Sequence, residues 1–251
     1  MPPADTRTIG DIAIAVCDLQ SAIARLESWA EAGERHAVTF ANAHSVNLAA
    51  CDPAFRAAMS TMLVLNDGIG VDLASKLLYG APFPSNLNGT DFTPALLGHA
   101  TGPRTVALLG AAPSVAKEAA ARLAAVFPQH RFNVIGDGFF KDEGAIVAQL
   151  AAANADYVLV GMGQPRQELF VTRHAGQWPG VTLCIVAYIA FAAGNVPRAP
   201  LWVRKLRAEW LFRLAIEPRR MAGRYLIGNV RFLLAMLIAK KKGPAENRRA
   251  P

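Results

Sequence analysis

The sequence has 251 residues, of which 53% are hydrophobic and 18% charged. That is enough apolar material for a sizeable core and too much for a disordered chain. Mean hydropathy is +0.24, yet the longest apolar run, Cys184 to Ala193, is about half the ~20 residues that span a bilayer.

The net charge of +7 is unevenly spread. Residues 1–197 carry 12 Lys/Arg against 16 Asp/Glu, whereas residues 198–251 carry 14 against 3. A strongly basic C-terminal fifth predicts a polyanion nearby: nucleic acid, anionic lipid headgroups or a pyrophosphate. The three cysteines, Cys17, Cys51 and Cys184, form no Cys-x-x-Cys pair. A disulfide framework or zinc ribbon is therefore not expected, and a reducing cytoplasm fits. The first residues, MPPADTRTIGD, lack the apolar stretch of a secretory signal.

Taken in chain order, short apolar runs alternate with longer helical patterns. AVTFAN (37–42) reads as a strand leading into a helix from His44 to about Met59. MLVLN (62–66) is a second strand, and DGIGVDLASKLLYG a turn and helix. After Pro82 and Pro84, NGTD (88–91) opens a helix through Leu97, with Thr90 or Asp91 as its N-cap. RTVALLG (104–110) is a buried strand, followed by a helix from Pro113 to Ala125. RFNVIG (131–136), a helix near 142–152, DYVLVGMG (156–163), a helix near 166–175 and a strand VTLCIVAYIAF (181–191) continue the alternation. Such a pattern predicts an α/β fold, a parallel sheet covered by helices on both faces. Beyond residue 197 no strand pattern remains. Two helices, about 200–216 and 219–240, flank Pro218. On an ideal helix Arg220, Arg224 and Arg231 share one face. The chain thus divides into a core (1–197), a basic amphipathic helical appendage (198–242) and a disordered tail (243–251).

Polar residues gather where strands end. Asn42 and His44, Asp67 and Gly68, Gly110, Asp137 and Gly138, and the segment Gly161 to Glu168 all follow strands. In parallel sheets ligands bind beyond the carboxyl ends. Each residue alone also reads as a turn former or helix cap; the coincidence on one rim carries the signal. GMGQPRQE is the most specific segment. Gly161 and Gly163 permit close backbone approach, and Gln164, Gln167 and Glu168 stand at a helix start, which favours anions. GAAPSVA (110–116) is a second candidate phosphate cradle, without the third glycine of GxGxxG. There is no GxxxxGK[ST], GxSxG, HExxH or Asp-x-Asp. A Walker NTPase, a nucleophile elbow, a zinc site and an acidic clamp for a nucleotide-bound divalent ion are therefore not expected. His36, His99, His130 and His174 are isolated and read as packing or surface residues.

Together these residues resemble the WecG/TagA/CpsF family, glycosyltransferase family 26, from about Ile9 to Phe232. The resemblance lies in TFANAHSVNLA, NDGIGVD, NLNGTDF, RTVALLG with its following turn, GDGFF, GMGQPRQE and AGNVPRAPLWV with EWLFRLAIEPRRMAGRY. It implies a Rossmann-like core whose C-terminal appendage helps recruit it to the inner face of the cell membrane. The implied activity is inverting transfer, without metal or cofactor, from a UDP-sugar (UDP-glucose or UDP-N-acetylmannosamine type) to a polyprenyl-diphosphate-linked sugar. Such reactions build exopolysaccharide and other cell-surface polymers. Asp67 matches the family's general-base position and Gln167 its conserved Gln, both implied as catalytic. Asn42, Arg213, Arg219, Arg220 and Arg224 match family positions and are implied in substrate binding; the rim residues His44, Gly110, Asp137, Gly138, Gly161, Gly163, Gln164 and Glu168, with Gly89, Thr90 and Asp91 of the NGTD segment, are the further substrate-binding candidates. Two positions depart from the pattern: Asn86 stands where many members carry Arg, and VAYIAF where Gly and Asp are usual. The NLNGTDF form looks like the branch of the xanthan-type glucosyltransferase. The implied partners are the UDP-sugar, the lipid-linked acceptor and an anionic membrane, with a homo-oligomer possible and no nucleic acid. Two rival classes stay open: a dinucleotide-dependent oxidoreductase, on the β/α alternation alone, and a nucleic-acid-binding module, on the basic segment alone.

Overall fold

The computed structural model describes residues 5–200, 203 and 209–242, without the side chains of Arg220, Arg224 and Lys242. Residues 243–251, expected to be a disordered tail, lie outside the described residues.

The chain opens with an antiparallel hairpin, β1 (Thr6–Ile9) and β2 (Ile12–Ala15). Gly10 turns it at φ +60°, a conformation glycine adopts without a Cβ clash. Helix α1 (Leu19–Glu31) follows, capped by Asp18, whose carboxylate accepts from the Ser21 N–H at 2.8 Å. Then come β3 (His36–Ala41), α2 (Ala43–Ala49), α3 (Pro53–Ser60), β4 (Leu63–Asn66), α4 (Ile69–Tyr79) and α5 (Gly89–His99). The remaining core elements are β5 (Thr105–Gly110), α6 (Pro113–Val126), β6 (Arg131–Gly136), α7 (Glu143–Ala153), β7 (Tyr157–Gly161), α8 (Arg166–His174), β8 (Val181–Cys184) and α9 (Tyr188–Ala192).

Strands β3 to β8 form one six-stranded sheet in the order β4-β3-β8-β7-β5-β6, every pair parallel. All six carboxyl ends therefore lie on one rim. The strands are continuous apolar runs because both faces are covered. One face carries Phe40, Leu65, Leu108 and Leu159 against α1, α5, α6 and α9; the other carries Ala107, Leu109, Val158 and Val160 against α7 and α8. The chain leaves β5 toward β6 and leaves β7 toward β8, in opposite directions. The crevice between β5 and β7 is thus a topological switch point.

Three expectations are corrected. The helix read from His44 to Met59 is two helices, because Asp52 caps a new start at Pro53 and accepts from the Phe55 N–H at 3.0 Å. The strand read over 181–191 stops at Cys184, and Tyr188–Ala192 is helical. The N-cap of α5 is Asn88, not Thr90 or Asp91; its side chain accepts from the Asp91 N–H at 3.0 Å.

Beyond the core, α10 (Glu209–Ile216) and α11 (Pro218–Ala222) lead into a π-helical turn, Gly223–Ile227, and then α12 (Gly228–Lys242). The π turn spaces hydrogen bonds at i→i+5. Counting 100° per residue from Arg220 to Arg231 therefore fails across it. Arg231 sits beside Cys51, Nη2 to Sγ 2.8 Å; the side chains of Arg220 and Arg224 lie outside the described residues. Helix α12 packs on α2 and α4. It buries Phe232 and Met236 against Val46, Val71 and the hairpin isoleucines, and the Asn47 amide donates to the Gly228 carbonyl at 2.7 Å. His36, His130 and His174 are packing residues, as read. His36 stacks on Trp29, His130 is buried against the Leu97 carbonyl, and His174 meets Glu143.

Candidate active site

Asp67 follows β4 directly. Its N–H donates to the Ala41 carbonyl at 2.8 Å, which ties the ends of β3 and β4 together. Gly68, at φ +85°, then turns the chain into α4 without a side-chain cap. Asn42, which caps α2, accepts at Oδ1 from the N–H groups of His44 and Ser45. Its other end must then donate, and Nδ2 meets Asp67 Oδ2 at 3.0 Å. One carboxylate oxygen of Asp67 is thereby fixed.

Around Asp67 opens a cleft of about 460 Å³. The core wall includes Asn42, His44, Asp67 to Gly70, Asn86, Asn88, Thr90 and Asp91. The opposite wall is the appendage, with Glu209, Trp210, Arg213, Tyr225 and Asn229. Trp210 meets the Tyr225 ring edge-on at 5.8 Å, locking α10 to the π turn. Arg213 lies 4.7 Å above the Phe191 ring and 3.8 Å from Glu209. Asp91 is held by Arg198 and by the Asn88 amide at 2.9 Å. The cleft therefore exists only with the appendage in place, and among the described residues Arg213 brings a cation to the wall opposite Asp67.

Of the residues singled out from sequence, Asn42, His44, Asp67, Thr90, Asp91 and Arg213 line this cleft. Gly89 does not. It is buried under Phe40, where a Cβ would come within 3.1 Å of the ring. Arg219 is exposed and is not among the lining residues. Gly110, Asp137, Gly138, Gly161 and Gly163 lie farther along the rim, at the ends of β5, β6 and β7. There the glycines serve backbone packing first: a Cβ on Gly110 would stand 2.3 Å from the Gly161 carbonyl oxygen. Asp137 accepts from the Phe139 N–H at 2.7 Å, closing its own turn. Two non-glycine residues at this mouth have positive φ, Ala111 at 60° and Val186 at 46°. Each costs about 1–3 kcal/mol, and strain of this kind concentrates at functional rims.

Gln167 and Glu168 are fully buried and do not line the cleft. Glu168 Oε1 accepts from Thr39 Oγ1 (2.9 Å), Gln167 Nε2 (2.9 Å) and Gln164 Nε2 (3.2 Å). This fixes both amides. Gln167 Oε1 accepts from the Gly163 N–H at 3.1 Å, and Gln164 Oε1 accepts from Ser45 Oγ at 2.9 Å. The GMGQ loop is thus strapped to β3 and α2, behind the cleft. Thr39 and Ser45, which complete this network, and Asn86, Asn88 and Arg198 at the cleft were not selected as site residues from sequence. Thr39, Ser45 and Asn88 had proximity to the strand ends or to the NLNGTD segment as a signal, Asn86 its departure from the family pattern, and Arg198 its place in AGNVPRAPLWV.

Burial pushes the Glu168 carboxyl above its ordinary range, partly offset by its three donors, and Oε2 has no partner among the described residues. A pKa raised in the fold favours the protonated form there. The resulting stabilisation is complete below the ordinary value of 4.5 and is lost as pH rises through the folded value. Glu168→Gln removes this dependence. The melting temperature of the wild type minus that of the variant should therefore be larger at pH 5 than at pH 8. Parallel melting curves across that range would show Glu168 to be ionised in the fold.

Comparisons with known proteins identify the family. The sequence model of the Glycosyl transferase WecG/TagA/CpsF family matches residues 7–246. An N-acetylglucosaminyldiphosphoundecaprenol N-acetyl-beta-D-mannosaminyltransferase of Bacillus spizizenii is 30% identical over 219 residues, 86% of this chain and 85% of that protein. A protein of the same name from Bacillus subtilis is 32% identical over 163 residues, 64% of this chain and 63% of that protein. Neither an oxidoreductase nor a nucleic-acid-binding module fits that match. The chain is a hexosyltransferase-type enzyme and belongs to the WecG/TagA/CpsF family of glycosyltransferases.

Proposed function

We propose that the chain transfers an N-acetylhexosamine or hexose from a UDP-sugar to a sugar carried on polyprenyl diphosphate, with inversion, at a membrane surface. The carrying observation is the Asp67 carboxylate, held by Asn42 in a cleft closed by basic, aromatic appendage helices. Inversion is one in-line displacement. Asp67 takes the proton from the acceptor hydroxyl as its oxygen attacks the anomeric carbon, and UDP departs with the electrons of the broken bond. The names of the relatives support an undecaprenyl-diphosphate N-acetylglucosamine acceptor and an N-acetylmannosamine donor.

The nucleoside diphosphate belongs at the β5–β7 switch point, beyond the carboxyl ends of the two strands at Gly110 and Gly161. From β7 to β4, the strand that Asp67 follows, is three strand spacings, ~14 Å. An extended UDP-sugar reaches from that crevice to Asp67. Arg213 and the uncapped start of α4 supply positive potential for phosphate charge. Gln167 and Glu168 act as positioning residues, holding the GMGQ loop.

The test offers several UDP-sugars to polyprenyl-diphosphate-linked acceptors and follows radiolabel into lipid. UDP-N-acetylmannosamine with an N-acetylglucosamine acceptor is the expected pair. Transfer should survive EDTA, since the sequence has no Asp-x-Asp and no cluster of three His, Cys, Asp or Glu side chains assembles among the described residues. Loss of activity in EDTA with rescue by Mg²⁺ or Mn²⁺ would refute the metal-free mechanism.

A further inference from the structure

A sugar whose hydroxyl is deprotonated by Asp67 presents its neighbouring oxygens to the groups beside that carboxylate. Those groups are mostly committed already. Asn42 spends Nδ2 on Asp67 and Oδ1 on the start of α2. Asn88 spends both ends on Asp91. The Asp67 N–H goes to Ala41 and the Gly68 N–H to Asn86. Asn86 differs. Its Oδ1 accepts from the Gly68 N–H at 2.9 Å, one residue from the base. An amide carries an acceptor at one end and two donors at the other. Anchoring Oδ1 therefore fixes Nδ2 as a donor, and no described group accepts from it. Asn86 is half-buried and lines the cleft.

We propose that Asn86 is a specificity-determining acceptor contact: Nδ2 donates to the oxygen on the sugar carbon adjacent to the attacking hydroxyl, while Oδ1 holds the Gly68 turn. The proposal deepens the reading of Asp67 as base and rests on it. An uncharged donor suits a hydroxyl or acetamido oxygen, so the phosphate charge of the acceptor is met elsewhere. The contact also orients the sugar, because two oxygens on adjacent carbons are then held, one by Asp67 and one by Asn86. A sugar with the neighbouring oxygen missing would leave Nδ2 unpaired in a desolvated cleft and be rejected.

The two jobs separate by mutation in the full-length chain, assayed with UDP-N-acetylmannosamine and polyprenyl-diphosphate N-acetylglucosamine. Asn86→Asp keeps an acceptor for the Gly68 N–H and loses the donor. Its melting temperature and donor KM should stay near wild type, and its acceptor KM should rise about tenfold. The new carboxylate near Asp67 should also move the acid limb of kcat/KM to higher pH. Asn86→Ala should raise the acceptor KM equally and lower the melting temperature as well. A wild-type acceptor KM in both variants would overturn the proposal and leave Asn86 as a turn anchor. A rise in donor KM alone would overturn it too and give the amide to the donor. If Asn86→Asp fails to fold, the acceptor KM of Asn86→Ala decides. Asp67→Asn tests the underlying reading separately. Near-wild-type turnover there removes the base, whereas an acceptor KM raised only in the Asn86 variants still assigns the contact.

Discussion

Asp67→Asn is expected to leave the fold and UDP-sugar binding intact and to lower turnover by roughly 10²–10⁴-fold, the usual cost of removing a general base. The substitution is nearly isosteric. The new amide can turn its oxygen toward Asn42 Nδ2, which now donates to Asp67 Oδ2 at 3.0 Å, so the tie between β3 and β4 survives. What is lost is the ability to take a proton. The melting temperature should accordingly stay near wild type, which separates a chemical defect from a folding one. The measurement is single-turnover transfer with saturating donor and acceptor near neutral pH. Turnover close to wild type would remove Asp67 from the mechanism. A large loss accompanied by a lower melting temperature would instead assign it a structural role.

Asp67 and Asn42 were legible because both sit at carboxyl ends of buried parallel strands. Such strands are read as unbroken apolar runs, and their ends are where a sheet of this kind presents its polar residues. What the pattern does not reveal is direction. Gln164, Gln167 and Glu168 belong to one motif, yet Glu168 and Gln167 turn inward to β3 and neither reaches the cleft. One polar octet at a helix start gives no sign of which side faces the ligand. The length of the last strand was illegible for a different reason. VTLCIVAYIAF is apolar throughout, and a buried strand and a buried helix share that composition. The break lies at Val186, whose positive φ no β-branched residue advertises. By contrast, the opening hairpin carries a signal in its turn. Ile-Gly-Asp-Ile has a two-residue turn with glycine first, the residue such a turn favours there. The appendage shows the limit of periodicity: its arginine stripe assumes a regular helix, and the five-residue π turn changes the angle per residue in mid-segment.

Helix α12 is apolar on two sides. Phe232 and Met236 pack on the core, whereas Val230, Leu234, Leu237 and Ile238 lie on the other side and are exposed. Ile227, in the π turn beside them, is 73% exposed. Lys240 and Lys241 follow at the exposed end of the helix. No helix among the described residues is long and apolar enough to cross a membrane. A face of this composition fits a helix lying in the bilayer interface with its lysines at headgroup level. Each aliphatic side chain transferred from water contributes about 1.5–3 kcal/mol, and each lysine near an anionic leaflet about 1 kcal/mol. Since this helix also forms one wall of the cleft around Asp67, membrane binding would set the cleft at the depth of the acceptor diphosphate. Leu234→Glu with Ile238→Glu should therefore abolish flotation with anionic liposomes. Transfer to a long-chain polyprenyl acceptor in those liposomes should fall at least tenfold. Both side chains point away from the core, so the melting temperature and transfer to a short-chain, water-soluble acceptor should change little. Flotation and liposomal transfer at wild-type levels would show that this face does not meet the membrane. Equal losses on both acceptors would mean that the substitutions deform the cleft, and the membrane role would then fail with them.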